Sequence, residues 1–167
     1  MFSGSPNIID IEASGFGYDS YPIEVGIILR SGERYCSLIK PHETWTYWDK
    51  SAEKIHQISQ QKLQTYGKPI EVIVEELNDF LGKETVYTDG WVVDDVWIKK
   101  LFFTANKSLS FSVSSLEMIL TEAQMNIWHT TKDKLLQGSE EQRHRASFDA
   151  ALIQQTFIET AQKPINQ

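Results

Sequence analysis

The segment Ile8-Ile9-Asp10-Ile11-Glu12-Ala13 combines a short apolar, β-branched run with two acidic residues. Such a run predicts a β-strand, because branched apolar side chains favour an extended and partly buried backbone. Residues two apart in a strand point to the same face, so we expect the carboxylates of Asp10 and Glu12 side by side. Paired acids on a buried strand are costly unless a positive group compensates them, and a divalent metal ion is the simplest such group. The alternative is an edge strand with a solvated polar face, which an isolated Asp-x-Glu pattern favours.

The segments on either side of this strand predict an α/β fold with a mixed β-sheet flanked by helices. Further strands are expected over Pro22–Arg30, Arg34–Lys40 and Thr85–Thr88, the first two joined by a turn at Ser31-Gly32. Apolar residues at helical spacing predict five helices. The first runs from a Ser51 cap to about Ile58, the second from Pro69 to Gly82, and the third starts at Val93. The fourth follows a capping box of Ser114 and Glu117, and the last runs from about Phe148 to Gln162. No repeat or linker interrupts the chain, so we expect one domain over residues 1–167.

Composition and charge exclude several classes of protein. Hydrophobic residues make up 41% of the 167 residues and charged residues 23%, as in soluble globular chains. No apolar run reaches the roughly 20 residues needed to span a bilayer, and the polar start is not typical of a secretion signal. The single cysteine, Cys36, cannot form an internal disulfide or a thiolate metal site, so a cytoplasmic protein is expected.

The acidic balance of the chain bears on nucleic-acid binding. Sixteen basic and 23 acidic residues give a net charge of −7, which excludes a broad basic surface for duplex nucleic acid. A small nucleic-acid site remains compatible with this charge, because divalent metals can supply the positive charge that phosphates require.

Two later segments carry further candidate chemistry. His144 precedes a predicted helix that has Asp149 in its first turns, and Asp94 and Asp95 stand at the start of another predicted helix. An acid at a helix N-terminus is also favoured by capping and by the helix dipole, so each segment taken singly permits a purely structural explanation.

Taken together and in this order, the three segments resemble the DEDDh group of 3′–5′ exonucleases, which belongs to the ribonuclease H-like superfamily. The most specific match is His144-x-Ala146-x-x-Asp149, which corresponds to the third motif of that group. The segment 9–15 matches the first motif, and Pro22-Ile23-Glu24-Val25-Gly26 resembles the strand that follows it. Lys54-Ile55-His56-Gln57-Ile58 is similar to a family segment ending in His-Gly-Ile, with Gln57 in place of glycine. The resemblance extends from Ile8 to about Phe157.

The middle of the chain departs from the family pattern. Family members often carry His-Asn shortly before the second-motif aspartate, whereas Thr88-Asp89 stands nearby here. Asp94 and Asp95 both compete for the second-motif position. Asp94 is preferred, because Trp97 then supplies the bulky apolar residue three positions later.

The resemblance implies a catalytic site and its cofactors. Asp10, Glu12, Asp94 and Asp149 would hold two Mg²⁺ or Mn²⁺ ions, and His144 would act as general base for the attacking water. The substrate would be the 3′ end of single-stranded DNA or RNA, or a short oligonucleotide, and the product a nucleoside 5′-monophosphate. Without metal, four clustered carboxylates would repel one another and at least one would stay protonated.

Three residues with ring side chains are predicted to bind the substrate. His56, Trp48 and Trp91 are candidate substrate-binding residues, because bases stack on aromatic rings regardless of sequence; core packing is the alternative for each. The sequence leaves the oligomeric state and partners open: related small exonucleases are often dimers, and attachment to a polymerase or repair complex is the other option. A catalytically weak nucleic-acid-binding or adaptor module on the same fold is the alternative function, and an α/β domain with solvated acids and no ligand is a third.

Overall fold

The structure, a computed structural model, describes residues 4–139 and 142–162. In this part of the chain one sheet has the strand order β3-β2-β1-β4-β5. β1 pairs antiparallel with β2 and parallel with β4, so the sheet is mixed. The strands are β1 (Ile8–Ala13), β2 (Pro22–Ile28), β3 (Arg34–Leu38), β4 (Thr85–Thr88) and β5 (Ser112–Ser115).

Helices cover both faces of this sheet, which confirms the predicted α/β class. They are α1 (Lys50–His56), α2 (Gln60–Tyr66), α3 (Ile70–Leu81), α4 (Trp91–Thr104), α5 (Glu122–Leu136) and α6 (Ala146–Gln162). Ile9 and Ile11 of β1 pack with apolar residues of α3 and α4, whereas Ile8 packs with residues of α5 and α6. Because side chains alternate along a strand, Asp10 and Glu12 share the face of Ile8. None of the described helices has both the length and the hydrophobicity to cross a membrane.

The helix α3 forms where the sequence predicts it. Pro69 precedes its first residue and Gly82 follows its last, with the left-handed φ of 57° that favours glycine. Its apolar stripe of Ile70, Ile73, Val74, Leu77 and Leu81 is buried against the sheet.

Three local predictions differ from the structure. Asp49, not Ser51, caps α1, because its Oδ1 accepts hydrogen bonds from both the backbone N and the Oγ of Ser51, at 2.7 and 2.6 Å. The capping box of Ser114 and Glu117 does not form, because Ser114 pairs with β4 as part of β5. The capping box that forms is Thr121 with Gln124, at the start of α5. The short helix α2 was not predicted, and with Leu63 as its only buried residue it carries no apolar stripe to reveal it.

Candidate active site

Two carboxylates project from β1, the central strand of the sheet. Burial, followed by the charges of Asp94, Asp149 and Glu12, raises the pKa of Asp10 well above its usual value. Burial, followed by the charge of Asp149, raises the pKa of Glu12 to about 8. Both acids therefore resist ionisation in the metal-free protein, as expected of carboxylates that are brought together away from water.

A third acid comes from the first turn of α4. Asp94 is 3% exposed and accepts a hydrogen bond from Thr88 Oγ1, at the end of β4. Burial raises its pKa to about 7, although the hydrogen bond from Thr88 opposes the shift. The neighbouring Asp95 instead pairs with Lys99 along the same helix, with 2.6 Å between Nζ and Oδ2. Of the two adjacent acids, Asp94 is the one that the structure brings toward Asp10.

The loop before α6 supplies the histidine and the fourth acid. His144 has a left-handed φ of 63°, and its backbone N donates to Asp149 Oδ2 at 2.8 Å. Burial lowers the pKa of His144, so its imidazole is neutral near pH 7. Burial also raises the pKa of Asp149. One potential ligand atom from each of Glu12, His144 and Asp149 lies within 4.8 Å of the others.

The chemistry of this cluster fits a divalent cation. Four carboxylates and one imidazole supply the oxygen and nitrogen atoms that Mg²⁺ and Mn²⁺ accept as ligands. The raised pKa values of Asp10, Glu12 and Asp149 indicate that the cluster lacks a compensating positive charge. The cation Lys132 lies at its edge, where its Nζ is 2.5 Å from Asp89 Oδ2.

An ion pair between the buried Glu24 and the partly exposed Arg145 holds the His144 loop against β2. Glu24 is completely buried, and its Oε1 lies 2.6 Å from Arg145 Nη2. Its Oε2 accepts from the backbone N of Ala146, the first residue of α6, at 2.9 Å. The sequence predictions did not assign this role to Glu24, although a single acid inside the apolar run of β2 is a usable signal.

The start of α6 also lies directly against the backbone of β2. A Cβ atom on Gly26 would stand 2.2 Å from the carbonyl carbon of Ala146. Only glycine at this position allows the helix to approach so closely. The second-strand segment of the sequence thus places the His144 loop through both Glu24 and Gly26.

The three predicted substrate-binding residues occupy different environments. His56 is 2% exposed and its ring packs edge-on against Trp48, with 6.0 Å between ring centroids. Trp48 donates from Nε1 to Glu53 Oε2 at 2.7 Å. Trp91 is 43% exposed at the first residue of α4, one turn before Asp94 and Asp95. Their part in substrate binding stays a prediction.

The departure at Gln57 has a structural consequence. Gln57 has a φ of 56°, in the left-handed region where the family segment has glycine. Its backbone N donates to Glu53 O and ends α1. Gln57 therefore adopts the backbone that glycine favours, at some conformational cost.

Comparison with solved structures shows that the fold is similar to that of exonuclease I. Escherichia coli exonuclease I in complex with a dA16 oligonucleotide superposes with a TM-score of 0.70 at 13% identity, over 96% of this chain and 42% of that chain. A zinc-bound complex of E. coli exonuclease I with single-stranded DNA gives a TM-score of 0.71 at 14% identity, over 96% and 41%. Exonuclease I from Methylocaldum szegediense gives 0.56 at 14% identity, over 75% and 30%.

These similarities concern the fold. The chain spans less than half the length of the exonuclease I chains that it matches. No family model matches the sequence, and no curated protein matches it. The predicted ribonuclease H-like architecture is confirmed, and the resemblance to the DEDDh exonucleases is confirmed at the level of the fold.

Proposed function

We propose that this protein is a metal-dependent 3′–5′ exonuclease that hydrolyses single-stranded nucleic acid and releases nucleoside 5′-monophosphates. The observation that carries the proposal is the approach of Glu12, His144 and Asp149 to within 4.8 Å of one another. Asp10 and Asp94 extend this cluster, and the exonuclease I fold supports the same assignment. A domain with merely solvated acids would not bury Asp94 to 3% exposure without a compensating positive charge.

Asp10, Glu12, Asp94 and Asp149 are the residues proposed to hold two Mg²⁺ or Mn²⁺ ions. When bound, such ions lower the pKa of a water molecule and neutralise charge on a leaving oxygen. The carboxylates supply the negative charge that binds the cations. Their raised pKa values mean that metal must displace protons from the cluster, so metal binding should strengthen as the pH rises.

His144 is proposed as the general base. Its lowered pKa keeps the imidazole neutral near pH 7, so a ring nitrogen can accept a proton from water. Asp149 accepts a hydrogen bond from the backbone N of His144 and holds the loop in its left-handed conformation. The negative charge of Asp149 would then stabilise the imidazolium after proton transfer.

Single-stranded substrates are favoured over duplexes. The net charge of −7 weakens binding along a long duplex, whose many phosphates require basic neighbours. The exonuclease I structures contain a dA16 oligonucleotide or single-stranded DNA, which makes single-stranded DNA the first polymer to test. Trp91, exposed one turn before Asp94, is a candidate platform for a terminal base. A cytoplasmic location and a homodimer or a polymerase or repair partner remain predictions.

The test uses 5′-labelled DNA and RNA oligonucleotides with Mg²⁺, with Mn²⁺ and with EDTA. The expected result is a ladder of products shortened from the 3′ end, which forms only when metal is present. The polymer that is degraded faster identifies the substrate class. Binding without cleavage by the folded, metal-supplied protein would contradict the proposal and favour the adaptor module instead.

A further inference from the structure

A cavity of about 170 Å³ lies beside the His144 loop. It is lined by Ile55, His56, Gln57, Lys62, Arg143 and Arg145. Arg143 and Arg145 flank His144 directly in the sequence, so the cavity borders the candidate active site. Three cationic side chains therefore meet at one place in a chain whose net charge is −7.

Two of these cations have no ion-pair partner among the residues that the structure describes. Arg145 is paired with Glu24, at 2.6 Å. Within residues 4–139 and 142–162, neither Lys62 nor Arg143 takes part in an ion pair. Two acids act electrostatically on His56, namely Glu53, which accepts from Trp48, and the buried Glu24. The described residues that line the cavity therefore include three cations and no acid.

His56 adds an unused hydrogen-bond donor. Its Nδ1 accepts from the backbone N of Ile58 at 3.0 Å, which leaves the proton of the neutral ring on Nε2. Nε2 is buried and has no hydrogen-bond partner among the described residues. A buried donor without a partner is costly, so a ligand acceptor at this position would relieve that cost.

We propose that this cavity binds a backbone phosphate of the substrate strand, held by Lys62 and Arg143 and accepting from His56 Nε2. The inference rests on the proposed exonuclease function and adds a substrate subsite to it. In a strand cleaved at its 3′ end, the terminal nucleotide carries only the scissile phosphate, and every other phosphate lies on the 5′ side. The cavity therefore takes a phosphate on the 5′ side of the scissile bond.

The test compares Lys62→Gln and Arg143→Gln with Lys83→Gln. Lys83 is an exposed cation before β4, whereas the acidic cluster lies beyond the other end of that strand. Each variant is assayed on a single-stranded oligonucleotide and on the p-nitrophenyl ester of thymidine 5′-monophosphate. The ester has one phosphodiester and no phosphate on its 5′ side, so it reports the active site without the cavity.

For Lys62→Gln and Arg143→Gln we expect KM for the oligonucleotide to rise about tenfold, as for the loss of one charged hydrogen bond, with kcat little changed. Hydrolysis of the ester by Lys62→Gln should match the wild type. Arg143→Gln also removes a charge that acts on His144 and Asp149, so its change on the ester is subtracted from its change on the oligonucleotide. An oligonucleotide with a neutral methylphosphonate on the 5′ side of the scissile bond should show the same rise with wild-type protein and no further rise with the variants. An equal loss of Lys62→Gln on the ester and on the oligonucleotide, or cavity variants that behave as Lys83→Gln does on the oligonucleotide, would overturn the subsite.

Binding without metal separates this inference from the proposed function. In EDTA, the slope of log K against log salt for a labelled oligonucleotide should become shallower by about 0.7 in each cavity variant, as for one lost phosphate contact to a single strand. If wild-type protein hydrolyses neither substrate but the slope changes, the exonuclease proposal fails and the phosphate site stands. An unchanged slope overturns the phosphate site whatever the activity.

Discussion

Arg145 Nη2 lies 2.6 Å from Oε1 of the fully buried Glu24, and Arg145 Nε lies 3.1 Å from Oε2 of the same carboxylate. The pair joins β2 to the loop that carries His144. Because Glu24 also accepts from the backbone N of Ala146, one carboxylate fixes both the loop and the first turn of α6. A buried charge of this kind is tolerable only while its partner is present.

Arg145→Leu should therefore lower the free energy of unfolding by about 3 kcal/mol, because it leaves Glu24 buried without a countercharge. Urea denaturation measures the change. The double variant Glu24→Gln with Arg145→Leu should recover part of the loss, since it removes the unpaired charge. Arg34→Leu, an exposed arginine at the start of β3, is the control and should stay within about 0.5 kcal/mol of wild type. Equal losses in Arg145→Leu and Arg34→Leu would contradict the role of the pair.

The adjacent acids of α4 offer a matched comparison. Asp94→Asn should reduce hydrolysis by about 100-fold or more, because even residues that only orient a metal ligand contribute 10–100-fold. Asp95→Asn loses only a surface ion pair with Lys99 and should keep near-normal activity. Initial rates in saturating Mg²⁺ measure both. A larger loss of hydrolysis in Asp95→Asn than in Asp94→Asn would assign the metal-ligand role to Asp95 instead of Asp94.

Removal of metal should make stability depend on pH in a definite direction. The pKa values of Glu12 and Asp94 are raised to about 8 and about 7, from 4.5 and 3.8 in the unfolded chain. Between these limits the folded state binds more protons than the unfolded state, so its stability falls as the pH rises from about 4 to 8 and then levels off. Tm measured in EDTA from pH 5 to 9 should show this fall.

Divalent metal should reverse that trend. Mg²⁺ or Mn²⁺ replaces the protons on the cluster, so the Tm increase on adding metal should be larger at pH 8 than at pH 5. Asp10→Asn removes one acid of the cluster and should flatten the pH dependence in EDTA. A Tm in EDTA that rises from pH 5 to 8 would be incompatible with the raised pKa values.

His144→Ala should lose about 10²- to 10⁴-fold in kcat, the range for a positioned general base, with little loss of stability. Because burial lowers the pKa of His144, kcat/KM of the wild type in saturating Mg²⁺ at each pH should fall only when the pH drops below the ordinary histidine range. The variant should lack this acid limb. His129→Ala, an exposed histidine of α5, should behave as wild type. Unchanged turnover in His144→Ala would remove the histidine from the mechanism.

Gly26→Ala tests the close contact between β2 and α6. The added Cβ would meet the backbone of Ala146 at 2.2 Å, so α6 must shift and carry His144 and Asp149 with it. We expect about 1–3 kcal/mol of destabilisation together with reduced activity. Gly17→Ala, where the nearest atom to a Cβ is 3.7 Å away, is the control for thermal denaturation. Equal stability of the two variants would show that the contact is not restrictive.

Local sequence patterns correctly predicted the strands and helices that form because of signals within their own segments. The apolar run of β1 and the stripe of α3 between Pro69 and Gly82 formed as expected, because alternation, helical spacing and end signals act within one segment. Ser114 was assigned wrongly for the opposite reason. Its backbone pairs with β4, and this contact between distant segments outweighs a local capping signal.

The sequence by itself determined the α/β class and the residue types of the candidate site, because Asp10, Glu12, His144 and Asp149 stand in short, recognisable motifs. Only the tertiary structure showed how Asp94 and Asp95 differ, since Asp94 is buried and bonded to Thr88 whereas Asp95 pairs with Lys99. It alone revealed the bond between Glu24 and Arg145. These residues are separated by 121 positions, and an ion pair over that distance depends on how β2 and α6 pack.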